Sequence, residues 1–338
     1  MKMPVYFDIK KPAAYSRYLY NLVKCLDFAG HRVFFNPDKT TEDELASNRF
    51  TEMLLKEDIV SLAHPPVGDH FHVTENLLSP RYYDHIVLDR ADTAGKNDYY
   101  VPITPHPAVF QFGSRVSRQK GTRRNQSVFM IGSMNAELYQ RIENFPPFKT
   151  PNRYKICQHL LDRQLAVQFS SLDAFQDRLE RQLDRHCVVL DSANFKIPRD
   201  GLLDVLARFD FYLACPGVYM PFSHNVAEAM SVGCIPVIHA FYAQLFHPGL
   251  KDGHTAVIYE SLDELESKLQ QIYRAPRWKI WYMRRKVERY YQRIMSPAAI
   301  ARNFVSGRFT KIYMLSEQRS ARLMREAQKR VTAVTNHD

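Results

Sequence analysis

The segment at residues 209–238 constrains the fold more than any other part of the chain, and it reads FDFYLACPGVYMPFSHNVAEAMSVGCIPVI. Its first apolar run has the length of a strand and stops at Pro216 and Gly217, because proline cannot extend a β-ladder and glycine permits a tight turn. A polar loop and a short apolar helix follow, and Gly233 is the expected end of that helix. Residues 235–238 then form the next buried strand. The segment therefore predicts one βαβ unit of a parallel sheet.

The loop of this unit is the expected ligand site. Open α/β sheets bind their ligands at the carboxyl edge of the strands, which is where such a loop lies. Ser223 or Asn225 can cap the helix, which we expect to begin near Val226. Glu228 lies close to the start of that helix, so we expect this carboxylate to meet a ligand.

Length and composition favour a globular protein of two domains. The 338 residues are 45% hydrophobic and 12% aromatic, which is enough to bury a sizeable core. We find no apolar run near the roughly 18 residues that span a bilayer, and the early charges give no sign of a signal peptide. The cysteines are widely spaced, odd in number and without a CxxC pair, which predicts reduced, mostly buried thiols in a cytosolic protein. They are Cys25, Cys157, Cys187, Cys215 and Cys234.

Positive charge is concentrated at the C-terminal end. The formal net charge is +10, but residues 274–338 carry 16 Lys or Arg against 4 Asp or Glu, while the rest of the chain carries 30 against 32. A basic segment of this kind favours a polyanionic neighbour, which is a membrane surface, an acidic glycan or nucleic acid.

The N-terminal half predicts a second parallel sheet. A strand at residues 5–7, a helix over 13–29 that Gly30 ends, and a strand at 31–35 form another βαβ unit, so this half is expected to be Rossmann-like. Further strands are predicted at residues 59–63 and 86–88.

Titratable side chains directly follow three of these predicted strands. Asp8, His64 and Asp89 each occupy the first positions after an apolar run. Because the carboxyl ends of parallel strands share one edge, these side chains are the candidates for chemistry in this half.

Residues 100–126 are interrupted by prolines and then become basic, as expected of a linker between domains. A new strand at 128–131 leads through Gly132 and Ser133 into a helix over 136–144. A loop of small residues lets a phosphate or a sugar approach backbone N–H groups at a helix end. The predicted domains cover residues 1–120, 121–275 and 276–338, the last a basic segment of long helices over 278–295 and 298–334.

Residues 196–273 resemble a known family. They carry in order I-P-x-x-x-L-L-x-x-L-A-x-x-D-F-Y-L, P-x-x-x-x-P, EAMSVGCIPVI, D-G and Asp263-Glu264-Leu265. This order resembles the donor-binding half of the GT-B glycosyltransferases, and GCIPVI is also similar to the exostosin group. The resemblance implies an α/β protein with two Rossmann-like domains that face a cleft, the C-terminal one binding a nucleotide-sugar. It also implies that a final helix returns to the first domain.

The resemblance assigns roles to the loop and to the helix after it. Glu228 is the glutamate that typically hydrogen-bonds hydroxyls of the ribose or the sugar, and the loop at residues 217–225 wraps the donor. The donor-binding candidates of this segment are Gly217, Met220, Pro221, Ser223, His224, Asn225 and Glu228, and Gly132 and Ser133 join them from the earlier loop.

Cations near the predicted site can neutralise the leaving phosphate. Lys196 and Arg199 follow an earlier strand, and Lys149, Arg115 or Arg153 are alternatives. The absence of a DxD motif fits GT-B enzymes, which usually stabilise the leaving group with such charges. We therefore expect neither a metal nor a cofactor.

Retaining members of the superfamily often carry a second glutamate eight positions before the first, where this chain has Met220. The difference favours inversion, which needs a general base for the acceptor hydroxyl. Asp8, His64 and Asp89 are the candidate bases, and the sequence does not rank them.

Each of these side chains has a structural alternative. Glu228 can be a carboxylate that the helix dipole favours, and Asn225 can be a cap. For Asp8, His64 and Asp89, a solvated strand end or a hydrogen-bonded histidine is the default interpretation. Lys196 and Arg199 can be surface charges.

The predicted helix over 278–295 is basic and carries Trp278 and Trp281 at one end. A basic amphipathic helix with tryptophans can lie at a lipid interface. The alternative is a helix that packs on its own domain and leaves its basic face in water.

Together the motifs predict an enzyme that transfers a sugar from a nucleotide-sugar to a hydroxyl of a glycan, either a surface polysaccharide or a lipid-linked acceptor. We expect it in the cytoplasm, with possible peripheral binding at the inner face of the membrane. One alternative is a nucleotide-sugar-modifying enzyme such as an epimerase. The other is a basic nucleic-acid-binding protein, against which the aromatic residues are not interleaved with basic ones, so no nucleic acid is expected.

Overall fold

The structure is a computed structural model of the 338-residue chain. It describes residues 2–87, 97–111, 123–143, 149–181, 183–198, 200–217 and 222–335. The chain forms two compact units: Met1–Phe110 with Gln292–Asp338, and Gln111–Tyr291. Strands alternate with helices, and the strand pairs are parallel in both units, as expected when each strand is followed by a crossover helix. The predicted α/β class with Rossmann-like units is confirmed.

The first unit contains two parallel sheets. Their orders are β3-β2-β1-β4 and β5-β13-β6. The strands are β1 Val5–Asp8, β2 Val33–Phe35, β3 Val60–Leu62, β4 Phe71–Thr74, β5 Leu78–Ser79, β6 Asp98–Tyr100 and β13 Lys311–Tyr313.

Helices cover one face of the four-stranded sheet. Phe7 of β1 stacks between Phe35 of β2 and Phe304, so one side of this sheet is apolar core. The helices of this part of the chain are α1 Arg17–Phe28, α2 Lys39–Ala46, α3 Arg49–Lys56, α4 Tyr82–Val87, α5 Pro107–Gln111, α14 Pro297–Phe304 and α15 Glu317–Thr335. The predicted βαβ unit at the N-terminus is confirmed as β1, α1 and β2.

Two predicted elements of this unit are wrong. The single helix over residues 298–334 is interrupted, because Gly307 adopts a positive φ of 66° and β13 then pairs with both β5 and β6. The strand at residues 86–88 is also wrong where it is described, because Ile86 and Val87 end α4. Tyr82 and Tyr83 are buried in that helix, so tertiary packing overrides the strand preference of the apolar run.

The second unit contains one six-stranded parallel sheet in the order β12-β11-β10-β7-β9-β8. Its strands are β7 Asn125–Gly132, β8 Ala166–Val167, β9 Cys187–Asp191, β10 Phe209–Ala214, β11 Ile235–His239 and β12 Val257–Tyr259. The residues of β7, β10 and β11 are buried on both faces, which explains the apolar runs at residues 128–131, 211–214 and 235–238 within them.

Eight helices of the second unit are described. They are α6 Ala136–Glu143, α7 Arg153–Asp162, α8 Leu172–Glu180, α9 Leu202–Leu206, α10 His224–Ser231, α11 Ala240–Gln244, α12 Leu262–Arg274 and α13 Arg277–Tyr290. A π-helical turn, Tyr291–Met295, continues α13. The predicted unit at residues 209–238 is confirmed as β10, α10 and the parallel strand β11.

All five cysteines are buried, and none of them forms a disulfide, as predicted. Among the helices that the structure describes, none combines the length and the apolar character needed to cross a bilayer.

Candidate functional site

The second unit has a cavity at the carboxyl edge of its sheet. Its volume is about 530 Å³, within the range of small-molecule sites. The residues that line it lie at the end of β7, after β9, or at the start of α7, α9 and α10. They are Ile131, Gly132, Ser133, Arg153, Ser192, Phe195, Lys196, Ile197, Leu202, Ser223, His224 and Asn225.

Sheet topology explains the position of this cavity. From β7 the chain first runs to the edge strand β8 and returns to β9, which lies between β8 and β7. It then crosses to β10 on the other side of β7 and builds outward to β11 and β12. The order of strands therefore reverses between the neighbours β7 and β10. Open α/β sheets bind ligands in the crevice at such a switch point.

Arg153, the first residue of α7, is a buried cation in the cavity wall. The residue is 7% exposed, and its guanidinium lies over the ring of Tyr139, 5.5 Å from the centroid. Its Nη2 lies 3.5 Å from Oγ of Ser223, and its Nε has no hydrogen-bond partner. Among the residues that the structure describes, no carboxylate forms an ion pair with Arg153. A buried charge needs a compensating partner, so this guanidinium is suited to an anionic ligand.

Gly132 leaves the space that the guanidinium of Arg153 occupies. A Cβ at residue 132 would overlap the guanidinium of Arg153, so the end of β7 accommodates this side chain only because the residue is glycine. Gly132 and Ser133, both predicted from the sequence as donor-binding residues, line the cavity, and their contact with a ligand stays a prediction.

The N-terminus of α10 adjoins the same cavity. The first N–H groups of a helix have no acceptor within the helix, and the dipole favours an anion there. Ser223 occupies the cap position, but its side chain makes no capping hydrogen bond, and its N–H donates to Oη of Tyr242 at 2.8 Å. Asn225 fixes the helix to the sheet, because its Nδ2 donates to the carbonyl oxygen of Ile131 at 2.8 Å.

Glu228 supports His224 from beneath the cavity. Oε1 of Glu228 lies 3.0 Å from Nδ1 of His224, one helical turn away on α10. Glu228 is 1% exposed, whereas the imidazole of His224 is partly exposed and lines the cavity. The structure thus gives Glu228 a contact with a cavity residue and no place in the cavity wall. Its predicted hydrogen bond to a ligand hydroxyl stays a prediction.

The remaining donor-site candidates are placed as follows. Lys196 is exposed and lines the cavity, and within the described residues it forms no ion pair. Gly217 follows β10 but does not line the cavity. Met220, Pro221 and Arg199 lie outside the described residues, as does the alternative Arg115.

In the first unit, Asp8 and His64 belong to one cluster of polar rings and a carboxylate. Oδ1 of Asp8 accepts from Nδ2 of Asn36 at 3.0 Å, and its Oδ2 lies 3.7 Å from Nε2 of His72. Nδ1 of His64 lies 3.2 Å from Oη of Tyr6. Asp89, the third candidate base, lies outside the described residues.

Sequence reasoning missed the central members of this cluster. Tyr6 is the register partner of His72, and the ring of Tyr6 lies 5.3 Å from that of His72 and 6.0 Å from that of His70. The alternation Phe71-His72-Val73-Thr74 was the available signal, since it predicts a strand with one polar face.

A separate group on α7 and α12 has the side chains of a metal site. Ligand atoms of His159, Asp263 and Glu266 lie within 4.8 Å of one another. However, Oε1 of Glu266 already lies 2.9 Å from Nε2 of His159 and 3.7 Å from Nε of Arg163. These residues do not line the cavity, and the expected absence of a metal stays a prediction.

No family model matches the chain, and no curated protein matches it. Among solved structures, the chain is similar to AviGT4, a glycosyltransferase involved in avilamycin A biosynthesis, with a TM-score of 0.43 and 15% identity over 90% of this chain and 96% of that one. It is also similar to a mutant of the O-GlcNAc transferase of Thermobaculum terrenum, with a TM-score of 0.38 and 11% identity over 97% and 69% of the two chains. The UDP-forming α,α-trehalose-phosphate synthase of Burkholderia vietnamiensis has a TM-score of 0.32 and 14% identity over 90% and 69%.

Proposed function

We propose that the protein is a glycosyltransferase of the GT-B type, which transfers a sugar from a nucleotide-sugar to a hydroxyl of a glycan acceptor. The observation that supports it most is Arg153, a buried guanidinium without a carboxylate partner among the described residues, in a cavity at the switch point of the sheet. The motifs in residues 196–273 supply the class of enzyme.

The diphosphate of the donor is the anion that this cavity suits. A guanidinium can form two parallel hydrogen bonds to a phosphate, and the N-terminus of α10 supplies backbone N–H groups beside it. Lys196 adds a second positive charge at the cavity wall. Preorganised cations stabilise the charge that develops on the leaving diphosphate, so these two side chains can perform this task without a metal.

Transfer also requires an acceptor oxygen that attacks the anomeric carbon of the donor sugar. As the new bond forms and the bond to the diphosphate breaks, a base takes the hydroxyl proton. We propose Asp8 or His64 of the first unit for this role. Asp8 ends β1 and is exposed, and His64 follows β3. The absence of a second glutamate at Met220 supports inversion of the anomeric carbon.

Nucleotide binding tests the proposal directly. The melting temperature is measured with UDP, GDP, CMP, ADP and dTDP, because a ligand that binds only the folded form raises it. We expect one of these nucleotides to stabilise the protein. Arg153→Gln should weaken its binding about tenfold to a hundredfold, since hydrogen bonds to a charged group contribute about 1.5–3 kcal/mol.

The matched control is Arg163→Gln. Arg163 directly follows α7 and does not line the cavity, so this change removes one positive charge without altering the cavity wall. If Arg153→Gln does not fold, Lys196→Gln replaces it, because Lys196 is exposed. No stabilisation by any of the nucleotides at millimolar concentration would contradict the donor site. Release of the nucleotide only when a glycan acceptor is added distinguishes transfer from an epimerase, which needs no acceptor.

A further inference from the structure

A second cavity of the Gln111–Tyr291 unit lies at the opposite edge of the six-stranded sheet, before β7 and β10 begin. Its volume is about 400 Å³. Four arginines, one carboxylate and one tryptophan form most of its wall, and we call it the arginine pocket: Arg123, Arg124, Arg277, Arg284, Asp210 and Trp281.

Carboxylates balance part of the charge of these arginines: Oδ1 of Asp184 lies 3.4 Å from Nη2 of Arg277, and Oε1 of Glu288 lies 3.9 Å from Nη2 of Arg284. Asp210 is 2% exposed, and its oxygens lie 2.9 Å from Nη1 of Arg277 and 3.8 Å from Nη1 of Arg284. Arg124 donates to the backbone carbonyl oxygens of Phe209 and Val232, and within the described residues it forms no ion pair. Burial and the charge of Arg124 lower the pKa of Arg284, as expected where guanidinium groups are crowded away from water. An anion in this pocket would relieve that crowding.

Helix α13, which supplies two of these arginines, presents large aromatic side chains to solvent. Trp278 is 71% exposed and Trp281 is 58% exposed, while Ile280 and Met283 on the other side are buried in the unit. The guanidinium of Arg285 lies 5.4 Å from the ring centroid of Trp281, and the ammonium of Lys286 lies 4.9 Å from that of Tyr282. The apolar side of α13 is therefore already buried within its own unit, and the two tryptophans lie on the opposite, solvent-facing side.

We propose that the arginine pocket binds the phosphate of an anionic phospholipid, while Trp278 and Trp281 enter the interfacial layer of the bilayer. Arginine suits phosphate because its planar group donates two parallel hydrogen bonds. Tryptophan is enriched at the level of lipid headgroups because its indole is apolar with one polar N–H. A bilayer surface offers partners for the arginines and the tryptophans together, whereas a free phosphate would engage only the arginines.

The chain provides its own reporter for this test. Its only two tryptophans are Trp278 and Trp281, so the tryptophan emission of the whole protein reports on α13 alone. The full chain is titrated with vesicles of phosphatidylcholine, with or without phosphatidylglycerol. We expect a blue shift of the emission, quenching by brominated acyl chains and co-sedimentation only with the anionic vesicles.

Two variants and one control locate the binding. Arg277→Gln and Trp281→Ala should each weaken binding to anionic vesicles at least tenfold, and Arg123→Gln serves if Arg277→Gln does not fold, because Arg123 is exposed. Arg178 is an exposed residue of α8 in the same unit and lies outside the pocket. Arg178→Gln removes one positive charge there and should leave the affinity for anionic vesicles within about twofold of the unaltered protein. The nucleotide-induced shift of each variant verifies that the unit is folded.

Three results would overturn the proposal. The first is unchanged emission with anionic vesicles. The second is inorganic phosphate or glycerol 3-phosphate binding with the same dependence on Arg277 while vesicles do not bind, which would assign the pocket to a free anion. The third is a single-stranded RNA oligonucleotide that binds more tightly than the vesicles and displaces them, which would assign α13 to nucleic acid.

Discussion

Single residues decide the chemistry of the proposed donor site. Arg153 and Lys196 both line the cavity, but burial makes Arg153 the stronger determinant, because a buried cation gains more from a ligand anion than an exposed one. Glu228 lies outside the cavity wall and contacts it through its hydrogen bond to His224. A carboxylate on one imidazole nitrogen fixes the orientation of the ring, which leaves the other nitrogen of His224 to meet a phosphate or a sugar hydroxyl.

The candidate bases are tested one residue at a time. Asp8→Asn and His64→Gln each remove a possible proton acceptor without changing the volume of the side chain much. Loss of a general base lowers kcat about a hundredfold to ten-thousandfold. We expect this loss in one of the two variants and a donor KM close to that of the unaltered protein. His72→Gln serves as a control, because it alters the partner of Asp8 and leaves both candidates in place. Full kcat in both variants would exclude Asp8 and His64.

His247 predicts a pH dependence of stability. Burial lowers its pKa from 6.5 to about 4, so the folded protein keeps this imidazole neutral. Between these two values the unfolded chain binds more protons, and stability therefore falls as the pH falls from 6.5 towards 4. From pH 7.5 to pH 5 the loss contributed by this residue is about 2 kcal/mol.

Urea denaturation at the two pH values measures this difference. His247→Gln should reduce the loss, while His254→Gln at an exposed position of the same unit should not. An equal loss in His247→Gln and in the unaltered protein would contradict the assignment.

At the scale of elements, the connection between β7 and α7 depends on one missing Cβ. Gly132→Ala places a methyl group where the guanidinium of Arg153 lies, and that end of the side chain can move away at small cost. We therefore expect a folded protein whose nucleotide affinity falls about as far as in Arg153→Gln, roughly tenfold or more. Isothermal titration compares the two variants and their double mutant. The double mutant should be no weaker than Arg153→Gln, and additive losses would show that Gly132 acts independently.

The elements that the sequence predicted well are those whose signal is local. β10, α10 and β11 follow from Pro216, the cap residues and Gly233, and each signal lies within or beside its own element. The N-terminal β1, α1 and β2 follow in the same way. Residues 128–131 were predicted as a strand, and β7 extends that strand at both ends.

The elements that were missed depend on distant partners. β13 has three residues and forms because β5 and β6 lie on either side of it, about 230 and 210 residues away in sequence. Local propensity in that region favours helix, and pairing overrides it. The same reason applies to the site: nothing in the sequence around Asn152 and Arg153 shows that the guanidinium will meet Gly132 and Tyr139. The sequence names such residues as candidates, and only the fold selects among them.

At the scale of the whole molecule, the C-terminal basic segment is divided between the two units. Residues up to Tyr291 belong to the second unit, which contains α13 and the arginine pocket, and residues from Gln292 belong to the first. In the first unit this segment is structural: β13 is the middle strand of its sheet, and Arg319 forms a bidentate pair with the buried Asp84. The basic residues of this segment thus have different surroundings in its two parts: an ion pair to a buried carboxylate in the first unit, and the arginine pocket in the second.

This division predicts that the two units respond differently to changes in β13. Ile312 is fully buried, and Ile312→Ala should lower the stability of the first unit by about 2–5 kcal/mol through the cavity it leaves. Deletion of residues 308–338 should unfold the first unit, because it removes the central strand β13 and the partner of Asp84.

In both variants we expect the second unit to keep its nucleotide-dependent stabilisation. Its sheet and the cavity at the switch point contain no residue from 308–338. Calorimetry and hydrogen exchange resolve the two units, and Arg308→Ala, an exposed change just before β13, is the control. Loss of nucleotide binding together with the first unit would show that the donor site needs more of the chain than the residues that line its cavity.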